Sequence, residues 1–132
     1  MSLFISCAVK DNNICEGKKM SQVELIVRKE YFTDGVLKSE TTYLKDTIKH
    51  GIFKTYYTDG RLKQKTQYKY GLKHGWDIKY YKSGFCKFKE HYHKGDLDGW
   101  SYHFYPDGQL SSKTFWVMGQ EFGDKFVYYP DG

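Results

Sequence analysis

Two groupings and a thiol in this chain have residue types that could support chemistry. His91-Tyr92-His93 puts two imidazoles on one side of an extended segment, and His103 is the obvious candidate for a third nitrogen. Zinc takes four protein ligands in a structural site and three plus water in a catalytic one. The set is therefore short, and these histidines read as exposed members of a polar face. His50 and His74 share one position in "KHG", but Asp98 and Phe122 replace them later, which marks loop residues. Cys86 would need a neighbouring base and an orienting group to act as a nucleophile. It stands in the slot held by Leu37, Leu62 and Leu110, so it reads as a small core residue. The acids are scattered, with no pair set for acid–base work. The expectation is a chain that is not an enzyme and uses no metal or cofactor.

The bulk properties agree with a binding role. A chain of 132 residues fits one compact domain or one short repeat array. The aromatic fraction is 19%, with 13 Tyr, which points to pleated surfaces rather than helices. The net charge of +5 comes from 21 basic residues, all Lys except Arg28 and Arg61, against 16 acids. Lys is a hydrated point charge, whereas planar readout of bases and phosphates favours Arg. Nucleic acid is accordingly the least favoured partner, although a Tyr-Lys face could stack bases. Cys7, Cys15 and Cys86 are odd in number and lack metal spacing, so no disulfide framework is expected. The start "MSLFISCAVK" has a loose likeness to the end of a lipoprotein leader with Cys7 as acceptor, without its basic start or apolar run.

What positions these residues is a repeat. The turn glycines Gly35, Gly60, Gly84, Gly108 and Gly132 lie 25 residues apart at the first step and 24 at every later one. A fixed period in this range means one supersecondary unit per repeat. Gly71, Gly95 and Gly119 recur in a second connection, which closes at Gly51, Gly75, Gly99 or Gly123. Every glycine from Gly35 onward is thus explained by turn geometry and none forms a phosphate-cradling loop. Between the landmarks lie segments with period-two patterning and no capped helical pattern, so each repeat is two antiparallel strands. The fold class is all-β: antiparallel β-hairpin repeats forming an elongated, twisted single-layer meander sheet. Residues 1–30 supply N-terminal capping strands, with "FISCAV" as a capping strand and a turn at Asp11-Asn12-Asn13, and Val23 to Phe32 supplies the outgoing strand before the first turn. Residues 31–132 hold about four repeats, the last incomplete.

The turn fixes the faces. In "YPDGQ", Pro106 suits position i+1 of a type I turn, Asp107 suits i+2, and Gly108 supplies the left-handed residue of a three-residue loop with a bulge. That loop pairs Tyr105 with Gln109 and Phe104 with Leu110. Carried along the strands, it groups Trp76, Ile78, Tyr80, Trp100, Tyr102 and Phe104 with Leu62, Thr66, Tyr68, Leu110, Thr114 and Trp116 on an apolar face. The opposite face collects Tyr57, Tyr81, Tyr105 and Tyr129 with Thr55, Lys63, Lys65, Lys79, Lys87, Lys89 and His103. Strand spacing of about 4.8 Å makes this tyrosine ladder roughly 29 Å long.

The spacing aromatic-x-x-Gly-x-x-x-Gly-Trp in Tyr68–Trp76 and again in Tyr92–Trp100 resembles the MORN repeat. The aromatic pair before the turn Gly and the Leu after it resemble the bacterial variant in YwqK-type antitoxins. The resemblance covers about Tyr31 to Gly132; Asp46-Thr47, with one residue inserted, and Asp124, where Trp would stand, depart from it. It implies a non-enzymatic interaction module: a scaffold, a binder of anionic lipid, or the neutraliser of a toxin.

The leading expectation is a bacterial protein that binds another protein, plausibly a toxin it occludes, through Tyr57, Tyr81, Tyr105 and Tyr129 with Lys79 and His103. Gly60, Gly75, Trp76, Gly84, Gly99, Trp100 and Gly108 hold the repeats. Rival expectations are a membrane-surface module whose lysines meet anionic lipid and an envelope-associated structural lipoprotein. The location follows the reading, cytoplasmic for the first and envelope for the last. A homodimer through the exposed edge or apolar face is a further option. The last hairpin lacks its return strand, so the array is expected to continue in a longer chain or to have its edge covered by a partner or second copy.

Overall fold

The structure, a computed structural model, describes residues 24–130. Cys7, Cys15, "FISCAV", the turn at Asp11–Asn13 and Gly132 lie outside them. Ten strands form a single antiparallel sheet: β1 (Leu25–Tyr31), β2 (Leu37–Leu44), β3 (Ile48–Tyr56), β4 (Leu62–Lys69), β5 (Leu72–Tyr80), β6 (Cys86–His93), β7 (Asp96–Phe104), β8 (Leu110–Val117), β9 (Gln120–Glu121) and β10 (Phe126–Val127). β1 to β8 follow one another as neighbours, and β9 and β10 both pair with β8. No helix occurs among the described residues. The all-β hairpin meander is therefore the architecture, with β1 as the outgoing strand of the first hairpin.

The long turns have the expected geometry. At the last one the Gly108 amide donates to the Tyr105 carbonyl (2.9 Å) and the Tyr105 amide to the Gln109 carbonyl (2.8 Å), with Gly108 at φ 92°. Asp107 Oδ1 accepts from the Gln109 amide at 2.9 Å, and Asp59 repeats the contact with Arg61 at 3.1 Å. Phe104 pairs with Leu110, Tyr56 with Leu62, and Tyr80 with Cys86. Cys86 thus fills the leucine slot, and burial pushes its thiol pKa up, away from nucleophilic use.

One step further along each return strand the register shifts again, which alters the faces. Tyr56 pairs with Leu62, but Thr55 pairs with Gln64, leaving Lys63 as an extra residue. Lys38, Lys87 and Ser111 are extra in the same place of the other hairpins. An inserted residue reverses the in–out alternation of everything beyond it. Thr66, Tyr68, Thr114 and Trp116 therefore do not share a face with Trp76 and Trp100. They lie on the opposite one, with Thr55, Lys79 and His103, because Thr66 pairs with Asp77, Thr114 with Ser101, and Trp116 with Gly99. Lys65 and Lys89 move the other way and join the tryptophans, pairing with Ile78.

At the other end, Tyr70-Gly71, Lys94-Gly95 and Met118-Gly119 form two-residue connections in which both residues have positive φ, as a type I′ turn requires. The first connection is longer by one residue, Lys45-Asp46-Thr47 between the paired Leu44 and Ile48, as the insertion predicts. In the last copy the outgoing strand is broken between β9 and β10, where Asp124 replaces Trp and Phe122 is 66% exposed.

A single layer has no second layer to bury against, and among the described residues the only buried hydrophobic side chain is Leu44. The most buried side chains, Thr66, Asp77 and Ser101, are small and polar and lie in the middle of one face. They are covered by longer side chains leaning in from the rows on either side.

Candidate interaction surface

The sheet presents two different faces, and the sorting follows from the register. On the polar face the middle row runs Thr41, Phe53, Thr66, Asp77, Glu90, Ser101, Thr114 across β2 to β8. Asp77 is 1% exposed and accepts from Thr66 Oγ1 (2.7 Å), Gln64 Nε2 (2.9 Å) and Lys73 Nζ (2.6 Å). A buried carboxylate needs such a set, because one left without partners would carry its full desolvation penalty. Partial burial alone would lower the Lys73 pKa, and the hydrogen bond and charge of Asp77 outweigh it, so the net shift is upward. Glu90 meets His103 Nε2 at 3.4 Å and the Tyr92 hydroxyl at 3.0 Å. The His103 hydrogen bond, helped by that hydroxyl and opposed by burial, holds the Glu90 carboxyl below the usual glutamate value. Trp116 Nε1 donates to Ser101 Oγ at 2.8 Å. Thr66, Asp77, Glu90 and Ser101 in this row are thus tied to neighbouring side chains.

The other face is aromatic and basic. Its three middle rows run Ile52, Gln67, Trp76, His91, Trp100 and Phe115; Lys54, Lys65, Ile78, Lys89, Tyr102 and Lys113; and Tyr56, Leu62, Tyr80, Cys86, Phe104 and Leu110. None of these residues is an acid. Trp100 packs on Phe115 with ring centroids 5.1 Å apart, and Trp76 on His91 at 5.0 Å. Lys89 Nζ stands 4.1 Å over the Trp76 ring, and Lys113 Nζ stands 5.3 Å over Trp100 and 4.6 Å over Phe126. These rings are partly exposed, so the surface combines apolar area with cations held on aromatic faces.

Three of the sequence-predicted binding tyrosines are engaged by the sheet itself. Tyr57, Tyr81 and Tyr105 do form a ladder, but each hydroxyl donates to a backbone carbonyl of the next hairpin: Tyr80 at 2.7 Å, Phe104 at 3.0 Å and Tyr128 at 3.0 Å. The extra lysines of the bulges cover two of these rings, Lys63 over Tyr57 and Lys87 over Tyr81. Tyr129 is 75% exposed. Lys79 and His103 are brought together on the polar face, one on each side of Phe88. His91 is separated from His103 by the sheet itself, since it pairs with Trp76 on the aromatic face, and its Nδ1 lies 2.7 Å from the Asp98 carbonyl. His50 and His74 hold turns: their Nδ1 atoms accept from the Tyr70 and Lys94 amides at 3.3 and 3.4 Å. What the sequence reading missed is the alignment of Lys65, Lys89 and Lys113 beside the tryptophans. Their 24-residue spacing was a signal for it.

Comparison with known proteins gives one family. The MORN repeat variant matches the chain twice, over residues 26–45 and 49–70. Those segments correspond to the hairpins β1–β2 and β3–β4, and the gap between them falls in the three-residue connection with its inserted residue. No curated protein and no solved structure matches the chain. Two of its hairpins are therefore similar to the MORN repeat variant, a class of non-enzymatic repeat that generally serves protein or lipid interaction.

Proposed function

We propose that this chain is a non-enzymatic module that binds another protein through its aromatic and basic face. The observation that supports it is the segregation of charge: the three middle rows of that face from β3 to β8 carry lysines and no carboxylate, while Asp77 and Glu90 lie on the other side. Rigid rings with cations held above them are the composition of binding hot spots, and an acid-free surface selects an anionic partner. The tyrosine ladder serves this reading by holding the hairpins in line. In its finer form the partner is a toxin whose working surface is occluded, as the likeness to the bacterial antitoxin variant implies.

Purification of the tagged chain from its native host tests the reading. Wild type should retain a stoichiometric partner, and Lys89→Glu with Lys113→Glu should reduce its recovery about tenfold or more while the melting temperature stays nearly constant. Full retention by the double variant would move the docking surface off this face. The toxin form additionally requires a toxin-like reading frame beside the gene.

A second reading is favoured by lysines held over Trp76 and Trp100, which suit an anionic membrane surface. Phosphatidylserine vesicles should then float with the chain at low salt and release it at high salt. No flotation at either salt removes the lipid reading.

A further inference from the structure

We infer that the aromatic and basic face recognises its partner through an extended acidic segment of polyproline II form, with a carboxylate at every third residue, laid across the strands along Lys65, Lys89 and Lys113. The inference rests on the docking face proposed above and names the chemistry of what docks there. These lysines stand in one cross-strand row, separated by Ile78 and Tyr102. Neighbouring strands lie about 4.8 Å apart, so the three lysine Cα positions recur at roughly 9.6 Å. Among the described residues none of the three has a carboxylate within salt-bridge reach. Lys54, in the same row, has Glu40 at 3.9 Å, and Lys73 on the other face has Asp77 at 2.6 Å. The sheet thus neutralises Lys54 at the β2 end of this row and leaves Lys65, Lys89 and Lys113 without a carboxylate partner among the described residues.

The period selects the form of the ligand. Polyproline II rises about 3.1 Å per residue with three residues per turn, so one side chain per turn returns to the same side every ~9.3 Å. A β-strand returns a side chain to one face every ~6.7 Å. An α-helix returns one every seven residues at ~10.5 Å, a mismatch that grows along the row. Polyproline II stays in register over all three lysines. The row runs perpendicular to the strands, so such a ligand crosses the sheet face and does not add a strand to its edge. Trp76 and Trp100 repeat at the same interval in the adjacent row and give the prolines of the segment the aromatic ridges that this recognition mode uses. A preformed extended segment also loses little entropy on binding.

The test is fluorescence anisotropy with the full chain and three labelled peptides: repeated Glu-Pro-Pro triplets, the same composition with all glutamates clustered at one end, and repeated Lys-Pro-Pro triplets. The triplet acid peptide should bind about tenfold or more tighter than the clustered one, and the lysine peptide should not bind. Lys89→Gln with Lys113→Gln, checked for an unchanged melt, should remove that preference. Equal affinity for the two acidic peptides, or binding of neither, overturns the inference. If the native partner is lost in the Lys89→Glu, Lys113→Glu chain while no acidic peptide binds wild type, the docking face stands and the spacing argument fails. If the native partner is retained by that variant, the face itself is wrong. Capture by phosphatidylserine vesicles with no peptide binding would also overturn it, in favour of a membrane.

Discussion

Glu90 shows how one side chain is fixed by its surroundings and what that does to the whole chain. Its side chain is 17% exposed and stands opposite the buried Asp77, a like charge that taken alone would favour protonation. The His103 hydrogen bond, with the Tyr92 hydroxyl beside it, overrides that effect and the burial, so the carboxyl is held below its ordinary value. A carboxyl depressed in the folded state stabilises the fold fully above its unfolded pKa, near 4.3, and loses that contribution as the pH falls through the folded value. Stability should therefore drop more steeply between about pH 5 and pH 3 in the wild type than in Glu90→Gln, where this group no longer titrates. Thermal melts of the two chains over that range would show it. Parallel curves would mean that the His103 and Tyr92 contacts do not distinguish the two states of Glu90.

The hairpin is the unit in which sequence was most and least readable. Gly108 with Pro106 and Asp107 specified the long turn and the pairing of Phe104 with Leu110, because each residue type suits one turn position. The extra residue at Lys38, Lys63, Lys87 and Ser111 left no such mark, since a bulge tolerates any polar residue and breaks the alternation by a single step. Simple alternation therefore places everything beyond the bulge on the wrong face and hides the lysine row beside Trp76 and Trp100. On the outgoing strands β5 and β7 the irregularity beside Trp76 and Trp100 adds two residues, an even number that keeps the alternation, so the sequence pattern gives their faces correctly. A second irregularity shows why Gly recurs at Gly75. Its φ is 100°, a Cβ there would fall 2.1 Å from Gln67 Oε1, and that oxygen accepts the Trp76 amide at 2.7 Å. Gly84, at φ 98°, has open space around it. Alanine at either site should incur backbone strain of about 1–3 kcal/mol. Gly75→Ala should lose about 1 kcal/mol more, because Gln67 must leave its hydrogen bond. Denaturant titrations in the wild-type and Gln67→Ala backgrounds would check this: the excess loss at Gly75 should vanish in the second. An equal loss at both glycines in the wild type would show that Gln67 swings aside freely.

Across the described residues, each strand pairs only with the strands beside it and the tyrosine hydroxyls add a bond from one hairpin to the next, so stability is close to a sum of hairpin terms and the interfaces between them. With no core beneath the layer, what varies along the array is how completely each strand is paired and how well its side chains reach across. β5, β6 and β7 are paired on both sides over nearly their full length and carry Asp77, Glu90 and Ser101 in the buried row. β9 and β10 pair with β8 at two positions each, with Phe122–Lys125 between them. The replacement of Trp by Asp124 removes the ring that Trp76 and Trp100 contribute to the aromatic face, and the strand breaks where that packing is missing. The proposed docking face has Lys89 over Trp76 within fully paired strands, whereas Phe126 beside Lys113 belongs to the broken strand. Amide hydrogen exchange should therefore be slowest in β5–β7 and fastest in β9 and β10, with β8 between, since local opening follows the number of interfaces that must be broken. Binding of an anionic partner across Lys65, Lys89 and Lys113 should slow exchange most in β10, which is among the loosest strands of the free array and pairs with Lys113. Uniform protection from β1 to β10 in the free chain would contradict a sum of neighbour terms and mean that the sheet opens as one cooperative unit.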